Sequence, residues 1–168
     1  GVSSEASSLA GHLKLGKLIV FYDENRISID GSTDITFTEN IAQRYESYGW
    51  QVLQGSMYDY QQIESLVEEA KKDDRPSLIM LKSEIGKGAP TVVGKSAAHG
   101  APLGEEGVKA AKEFLGLPVD KDFYVLPEAY EYFASKKDEI EKKYDAWQKD
   151  FEVWASEEKE LKTLWDIM

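Results

Sequence analysis

Asp23, Glu24 and Asn25 are three oxygen-bearing side chains in succession, placed directly after an apolar run that is typical of a buried strand, Leu18-Ile19-Val20-Phe21. Ligands of open α/β sheets bind at the carboxyl ends of the strands, so we expect these side chains to lie at a ligand-binding edge. Oxygen donors beside a phosphorylated ligand suit a hard divalent cation such as Mg²⁺. On these three residues alone, an ordinary turn without a metal is the more common arrangement.

The second candidate for chemistry is His99, one of two histidines in the chain. It lies in a loop rich in Gly and Pro, and residues 85–104 hold no Asp or Glu but two lysines, Lys87 and Lys95. Because the whole chain has a net charge of −11, an acid-free loop with some positive charge suits an anionic ligand. An imidazole flanked by glycine can reach that ligand and exchange protons near neutral pH. Chance composition of a Gly-rich loop is the alternative.

The elements that must position these residues alternate between strand and helix. The predicted elements are strands at 18–22, 50–54 and 78–81, and helices at 3–15, 37–48, 60–72 and 105–115. This alternation indicates an α/β fold, a parallel sheet with helices on both faces. We expect residues 1–126 to form this domain.

A long amphipathic helical segment is predicted for residues 127–168, because Pro127 suits a first helical turn and aromatic residues recur at three- and four-residue steps. Tyr144, Trp147 and Phe151 belong to this aromatic seam. The seam can pack on the surface of its own domain, and an interface with a partner helix or another domain is the alternative.

Composition excludes several classes of protein. The chain has no cysteine, so disulfides and thiolate metal sites are impossible. The charge of −11, from 20 basic and 31 acidic residues, argues against nucleic acid or an anionic membrane as a partner. No apolar run approaches the roughly 20 residues that span a bilayer. With no leader visible before Gly1, we expect a cytoplasmic protein.

Four motifs in order along the chain resemble the transketolase family. They are Ser-Ser-Glu-Ala-Ser-Ser-Leu-Ala-Gly-His-Leu (3–13), Tyr-Asp-Glu-Asn-Arg-Ile-Ser-Ile-Asp-Gly (22–31), Arg-Tyr-Glu-Ser-Tyr-Gly-Trp (44–50) and Ala-His-Gly-Ala-Pro-Leu (98–103). The resemblance is to the domain that holds the diphosphate of thiamine diphosphate, and it covers roughly residues 1–130. It implies the thiamine-diphosphate-binding fold, here without the first strands of that domain.

The resemblance assigns the cofactor site. It implies that the Asn25 side chain and the Ile27 carbonyl bind Mg²⁺ (or Ca²⁺), and that an Asp from a Gly-Asp-Gly motif ahead of Gly1 completes the protein's ligands. It also implies that Ile29 and Ile85 pack against the thiazolium ring, where an apolar wall excludes water.

The resemblance assigns two residues to catalysis. His99 matches a histidine that faces the reactive end of the cofactor and the hydroxyls of the sugar substrate. Glu5 matches a glutamate of a carboxylate cluster at the dimer interface, which links the two active sites. Considered alone, Glu5 is an acid in a first helical turn, favourable near the positive end of the helix dipole.

The implied activity is transfer of a two-carbon ketol unit from a ketose phosphate to an aldose phosphate. It would take place in a homodimer of the pentose phosphate pathway, with sugar phosphates as substrates. Since the match begins inside a motif and the pyrimidine-binding domain is absent, we expect residues 1–168 alone to be inactive. The alternatives are a formaldehyde-using transketolase, a degenerate non-catalytic dimerisation or interaction module, and a split enzyme.

Overall fold

The computed structural model describes residues 1–167, which form two compact units. The first unit is Gly1–Val119, and the second begins at Asp120. Within the second unit the long helix starts at Pro127, the residue at which the sequence predicts the helical segment to start. No helix among these residues is long and apolar enough to cross a membrane.

The strands of the first unit form a parallel sheet and a small hairpin. In chain order they are β1 (Ile19–Glu24), β2 (Ile27–Ser28), β3 (Gly31–Ser32), β4 (Gln51–Ser56) and β5 (Ser77–Lys82). The parallel sheet has the order β1-β5-β4, while β2 and β3 pair antiparallel. Leu78, Ile79 and Leu81 are at most 2% exposed, which explains why the central strand β5 is continuously apolar over residues 78–81.

Helices cover both faces of this sheet. Those of the first unit are α1 (Val2–His12), α2 (Ile41–Ser47), α3 (Tyr60–Ala70) and α4 (Gly104–Phe114). On one face Ala10 of α1 packs with Trp50 and Met80, and residues of α2 join the same cluster. On the other face Ala70 of α3 packs with Ile79. The predicted parallel sheet with helices on both faces is therefore confirmed.

Helix α1 lies unusually close to the turn that follows α2. The indole Nε1 of Trp50 donates to the backbone oxygen of Ser7 at 2.8 Å, and the Ser7 hydroxyl donates to the Tyr45 hydroxyl at 3.3 Å. A Cβ atom at Gly11 would stand 1.8 Å from the backbone oxygen of Tyr48. The small residues of α1 thus permit contact between two backbones, and the position of the helix depends on them.

The second unit contains α5 (Pro127–Glu157) and α6 (Lys159–Ile167). The predicted helical segment is interrupted at Glu158, whose φ of −107° and ψ of 60° are not helical. This break lets Trp165 of α6 pack against Phe151 and Trp154 of α5, with ring centroids 5.7 and 6.2 Å apart. Aromatic residues of the predicted seam therefore pack against one another near the end of α5, while Trp147 remains 50% exposed.

Candidate functional site

A cleft of about 920 Å³ opens at the carboxyl ends of β1 and β5 in the first unit. It is lined by the end of β1, by β2 and the adjoining Ile29, by residues of the segment 33–42 and by His99, and Gln54 of β4 and Met80 and Lys82 of β5 also contribute. A cavity of this size can hold a cofactor together with a small substrate. The cleft lies at the sheet edge where the sequence predicts a ligand.

A tight turn at the end of β1 fixes Asn25. Its side-chain Oδ1 accepts a hydrogen bond from the backbone N–H of Ile27 at 3.0 Å, as in an Asx-turn. Arg26, between them, has a φ of 58°, in the left-handed region. Its carbonyl then accepts from the N–H of Thr33 at 3.0 Å, which joins the turn to the residue after β3.

The same turn directs the Ile27 carbonyl. Ile27 lies opposite Ser32 in the antiparallel hairpin, and the bond from Thr33 N–H to Arg26 O flanks this pair. The pair is therefore of the type that exchanges no hydrogen bonds, so the N–H and C=O of Ile27 both point away from β3. Because its N–H bonds to Asn25 Oδ1, the Ile27 oxygen and the Asn25 oxygen lie on the same side of the chain.

The two acids before Asn25 have other partners. Asp23 accepts a hydrogen bond from the Ser83 hydroxyl, and Glu24 forms an ion pair with Arg26 at 3.0 Å. The backbone oxygen of Glu24 accepts from the Ser83 N–H at 3.2 Å, which ties β1 to the residue after β5. Within residues 1–167 no three His, Cys, Asp or Glu side chains group as a metal site. The candidate cation ligands that these residues offer in the cleft are the neutral oxygens of Asn25 and Ile27.

His99 enters the cleft from the long loop after β5. It is the last residue of a short 3-10 helix, Ser96–His99, which packs against β2. The imidazole is exposed, and it lines the cleft together with Asn25, Ile27 and Ile29. Four of the six predicted site residues are thus brought together although about 70 residues separate His99 from the others.

Two predicted residues lie elsewhere. Ile85 is half-buried at the start of the loop, where its carbonyl accepts from the N–H of Gly94 at 2.9 Å, and it is not among the residues that line the cleft. Glu5 is exposed on α1, beside a separate shallow groove. The residues of that groove are Ser4, Glu5, Ser8, Leu9 and His12.

Lys82 and Tyr22 line the cleft and were not singled out from the sequence. Lys82 is the last residue of β5, and its side chain is exposed and adds one positive charge to the cleft lining. Its place at the carboxyl end of a buried strand is the signal that could have identified it. Tyr22 has a pKa above its usual value, because burial disfavours the phenolate and the nearby Glu24 carboxylate repels it. The phenol therefore stays protonated and can donate a hydrogen bond.

The strand order, the two helical layers and a polar cleft at the carboxyl ends of the strands define a parallel α/β ligand-binding domain. Residues 1–167 match the family described as transketolase, thiamine diphosphate binding domain. The chain belongs to this family.

Individual relatives agree with this assignment. The chain is 58% identical over 166 residues to the transketolase of Treponema pallidum, a match that covers 99% of this chain and 25% of that protein. Against the transketolase of Geobacillus stearothermophilus it is 45% identical, covering 96% of this chain and 25% of the relative. The chain thus spans about a quarter of the length of these curated relatives.

Solved structures give the same result. A transketolase of Pichia stipitis in complex with sedoheptulose-7-phosphate superposes with a TM-score of 0.85 at 41% identity, over 96% of this chain and 24% of that one. The transketolase of Campylobacter jejuni gives a TM-score of 0.81 at 41% identity, over 89% of this chain and 24% of the other. The predicted thiamine-diphosphate-binding fold is confirmed.

Proposed function

We propose that this chain supplies the diphosphate-binding side of a transketolase active site. The reaction is transfer of a two-carbon ketol unit from a ketose phosphate to an aldose phosphate, with thiamine diphosphate and a divalent cation, Mg²⁺ or Ca²⁺. The observation that carries the proposal is the pair of oxygens of Asn25 and Ile27 on one side of a turn, in the cleft that also holds His99. Membership of the family supports the cofactor.

Asn25 and Ile27 fit a cation that is bound beside a diphosphate. Both offer a neutral amide oxygen, the type of ligand that hard divalent cations accept, while the diphosphate brings the negative charge. The Asn25 oxygen keeps a second lone pair after accepting from the Ile27 N–H. The turn therefore positions both ligands before the cation arrives.

Thiamine diphosphate, when bound, supplies the carbanion stabilisation that ketol transfer requires. The residues of this chain bind and orient the reactants. Lys82 offers a positive charge to the diphosphate, and Ile29, 71% exposed in the cleft, offers an apolar surface that excludes water on binding. His99 lies where its imidazole can donate a hydrogen bond to substrate hydroxyls.

The substrates and the assembly belong to the same proposal. Sugar phosphates are supported as substrates by the Pichia stipitis structure with sedoheptulose-7-phosphate. We propose a homodimer with Glu5 at its interface, supported by the exposed groove on α1 that contains Glu5. Function in the pentose phosphate pathway and a cytoplasmic location stay predictions.

A degenerate binding module is disfavoured, because such a module has no need to keep Asn25, Ile27 and His99 in one cleft.

The test uses the full-length protein, with cation and cofactor affinities measured by calorimetry and ketol transfer by a coupled assay. The variant Asn25→Ala removes one oxygen ligand and the bond to Ile27, so we expect at least a tenfold loss of cation affinity. Asn25→Asp keeps the acceptor and is expected to retain cation binding. The matched control is Asp59→Ala. The Asp59 side chain accepts a hydrogen bond from the backbone N–H of Gln62 outside the cleft, so this variant loses a comparable acceptor.

Two results would contradict the proposal. One is a full-length protein that performs no ketol transfer when thiamine diphosphate and Mg²⁺ are supplied. The other is Asn25→Ala with the cation affinity of the wild type, since that would remove Asn25 from the metal site even if transfer were observed.

A further inference from the structure

Tyr58 holds the first turn of the loop that carries His99. Its hydroxyl accepts a hydrogen bond from the N–H of Glu84 at 2.7 Å and donates to the carbonyl of Glu84 at 3.4 Å. The Nζ of Lys87 stands 3.2 Å from the centroid of the Tyr58 ring, a close cation–π contact. The N–H of Lys87 also donates to the Glu84 carbonyl at 3.2 Å, so Tyr58 contacts both ends of one turn.

This turn is in direct contact with the 3-10 helix that bears His99. Gly86, in the middle of the turn, has a φ of 69°, and a Cβ placed on it would stand 2.9 Å from the Cβ of Ala98. The Ile85 carbonyl accepts from the N–H of Gly94 at 2.9 Å, which folds the loop back on its own start. A displacement of residues 84–87 would therefore shift residues 96–99 relative to β2, with which they are in contact.

The hydrogen bonds between Tyr58 and Glu84 join two different loops of the fold. Tyr58 follows β4, whereas Glu84 follows β5, and Tyr58 is itself outside the residues that line the cleft. Ser83, also at the start of the loop, bonds to Asp23 and to the backbone of Glu24. Ser83 therefore holds the start of the loop to β1, whereas Tyr58 holds it to the segment after β4.

We infer that Tyr58, together with Lys87, is a positioning pair that holds His99 against the cleft. The inference rests on the proposed function of His99, because it deepens that role. Neither side chain touches the cleft, so both act through the loop. The hydroxyl of Tyr58 fixes the backbone at Glu84, and its ring holds the Lys87 end of the turn.

The first experiment measures the loop directly, by amide hydrogen exchange in the full-length protein without substrate. Tyr58→Phe removes both hydroxyl bonds and keeps the ring under Lys87. We expect exchange in residues 84–99 to rise roughly fivefold to tenfold, the range that follows from the net contribution of one hydrogen bond, because the second bond, at 3.4 Å, is long. Exchange in β5 should be unchanged. Tyr60→Phe removes the same atom from an exposed tyrosine two residues away and is the matched control.

The second experiment asks whether Tyr58 acts through His99. We expect Tyr58→Phe to lower kcat for ketol transfer roughly fivefold in the wild type and to have no further effect in a His99→Ala background. An independent structural effect would give the same loss in both backgrounds, and that result overturns the inference. Unchanged exchange in residues 84–99 of Tyr58→Phe also overturns it. If the wild type transfers no ketol units, the proposed function fails, while the exchange experiment still decides whether Tyr58 holds the loop.

Discussion

The contact between α1 and the turn after α2 predicts that Gly11→Ala destabilises the protein, although alanine is the better helix former. The added Cβ would stand 1.8 Å from the backbone oxygen of Tyr48, compared with about 3.4 Å for an ordinary contact. Relief requires α1 to move by the difference, about 1.6 Å. The bond from Trp50 to the Ser7 carbonyl, now 2.8 Å, would then be broken.

The expected magnitude combines three effects. Overpacking of a fitted contact costs about 1–3 kcal/mol. Loss of the Trp50 hydrogen bond adds about 1 kcal/mol. Higher helix propensity returns about 1 kcal/mol at most. The free energy of unfolding should therefore fall by about 2 kcal/mol. The movement of α1 should also displace Glu5, which lies on the same helix.

Urea unfolding of the full-length protein, followed by circular dichroism, measures this loss. Gly107→Ala is the matched control, because it makes the same substitution in helix α4 where the nearest atom is a side-chain carbon of Leu103 at 3.1 Å. We expect the control to remain within about 1 kcal/mol of the wild type. If Gly11→Ala were as stable as Gly107→Ala, the close backbone contact would be refuted.

Three further predictions concern other features of the first unit. Lys82→Met should weaken thiamine diphosphate binding to the full-length protein roughly tenfold by calorimetry, because a charged hydrogen-bond donor is lost; Lys72→Met, outside the cleft, should not. The side-chain and backbone hydrogen bonds from Arg75 lower the pKa of Asp73 from 3.8 to about 2, so the stability that this carboxylate adds is complete above pH 3.8 and is lost as the pH falls toward 2. NMR titration should find that pKa, and Arg75→Ala should raise it; an Asp73 that titrates at its ordinary value would disprove the contact. An isolated preparation of residues 1–168 should associate with increasing concentration in sedimentation experiments, because β1 is paired on one side only among the described strands and its Phe21 is 50% exposed. A clean monomer at high concentration would count against this reasoning, and measurable ketol transfer by the same preparation would contradict its expected inactivity.

The sheet was predictable because short apolar runs in the sequence indicate buried strands. Residues 78–81 of β5 are apolar on both faces, and only a central strand between two helical layers buries both. The helix predicted from residue 37 instead begins at Ile41, because Asn40 accepts from the N–H of Gln43 and caps the helix there. Apolar periodicity does not contain that signal, whereas the capping residue does.

The site was predictable where one motif holds several residues. Asn25 and Ile27 are two positions apart, so the turn that joins them is local and its residues are adjacent in the sequence. Tyr58 and Glu84 are 26 positions apart in two loops, and neither periodicity nor residue type indicates that they meet. Ile85 illustrates the same difficulty, since its place relative to the cleft depends on how the loop folds back rather than on its own chemistry, and its contact with the cofactor stays a prediction.

The turn at Arg26 has a consequence for reading genetic data on this protein. One of the two proposed ligands is a side chain, but the other is a main-chain oxygen that every amino acid possesses. Codon changes at Ile27 other than to proline therefore leave the ligand atom in place and report on hairpin packing and the cleft wall, so a saturation scan would show a more tolerant position at Ile27 than at Asn25. The contribution of the Ile27 oxygen can be tested by replacing the amide between Ile27 and Ser28 with an ester, whose carbonyl is a poorer electron donor.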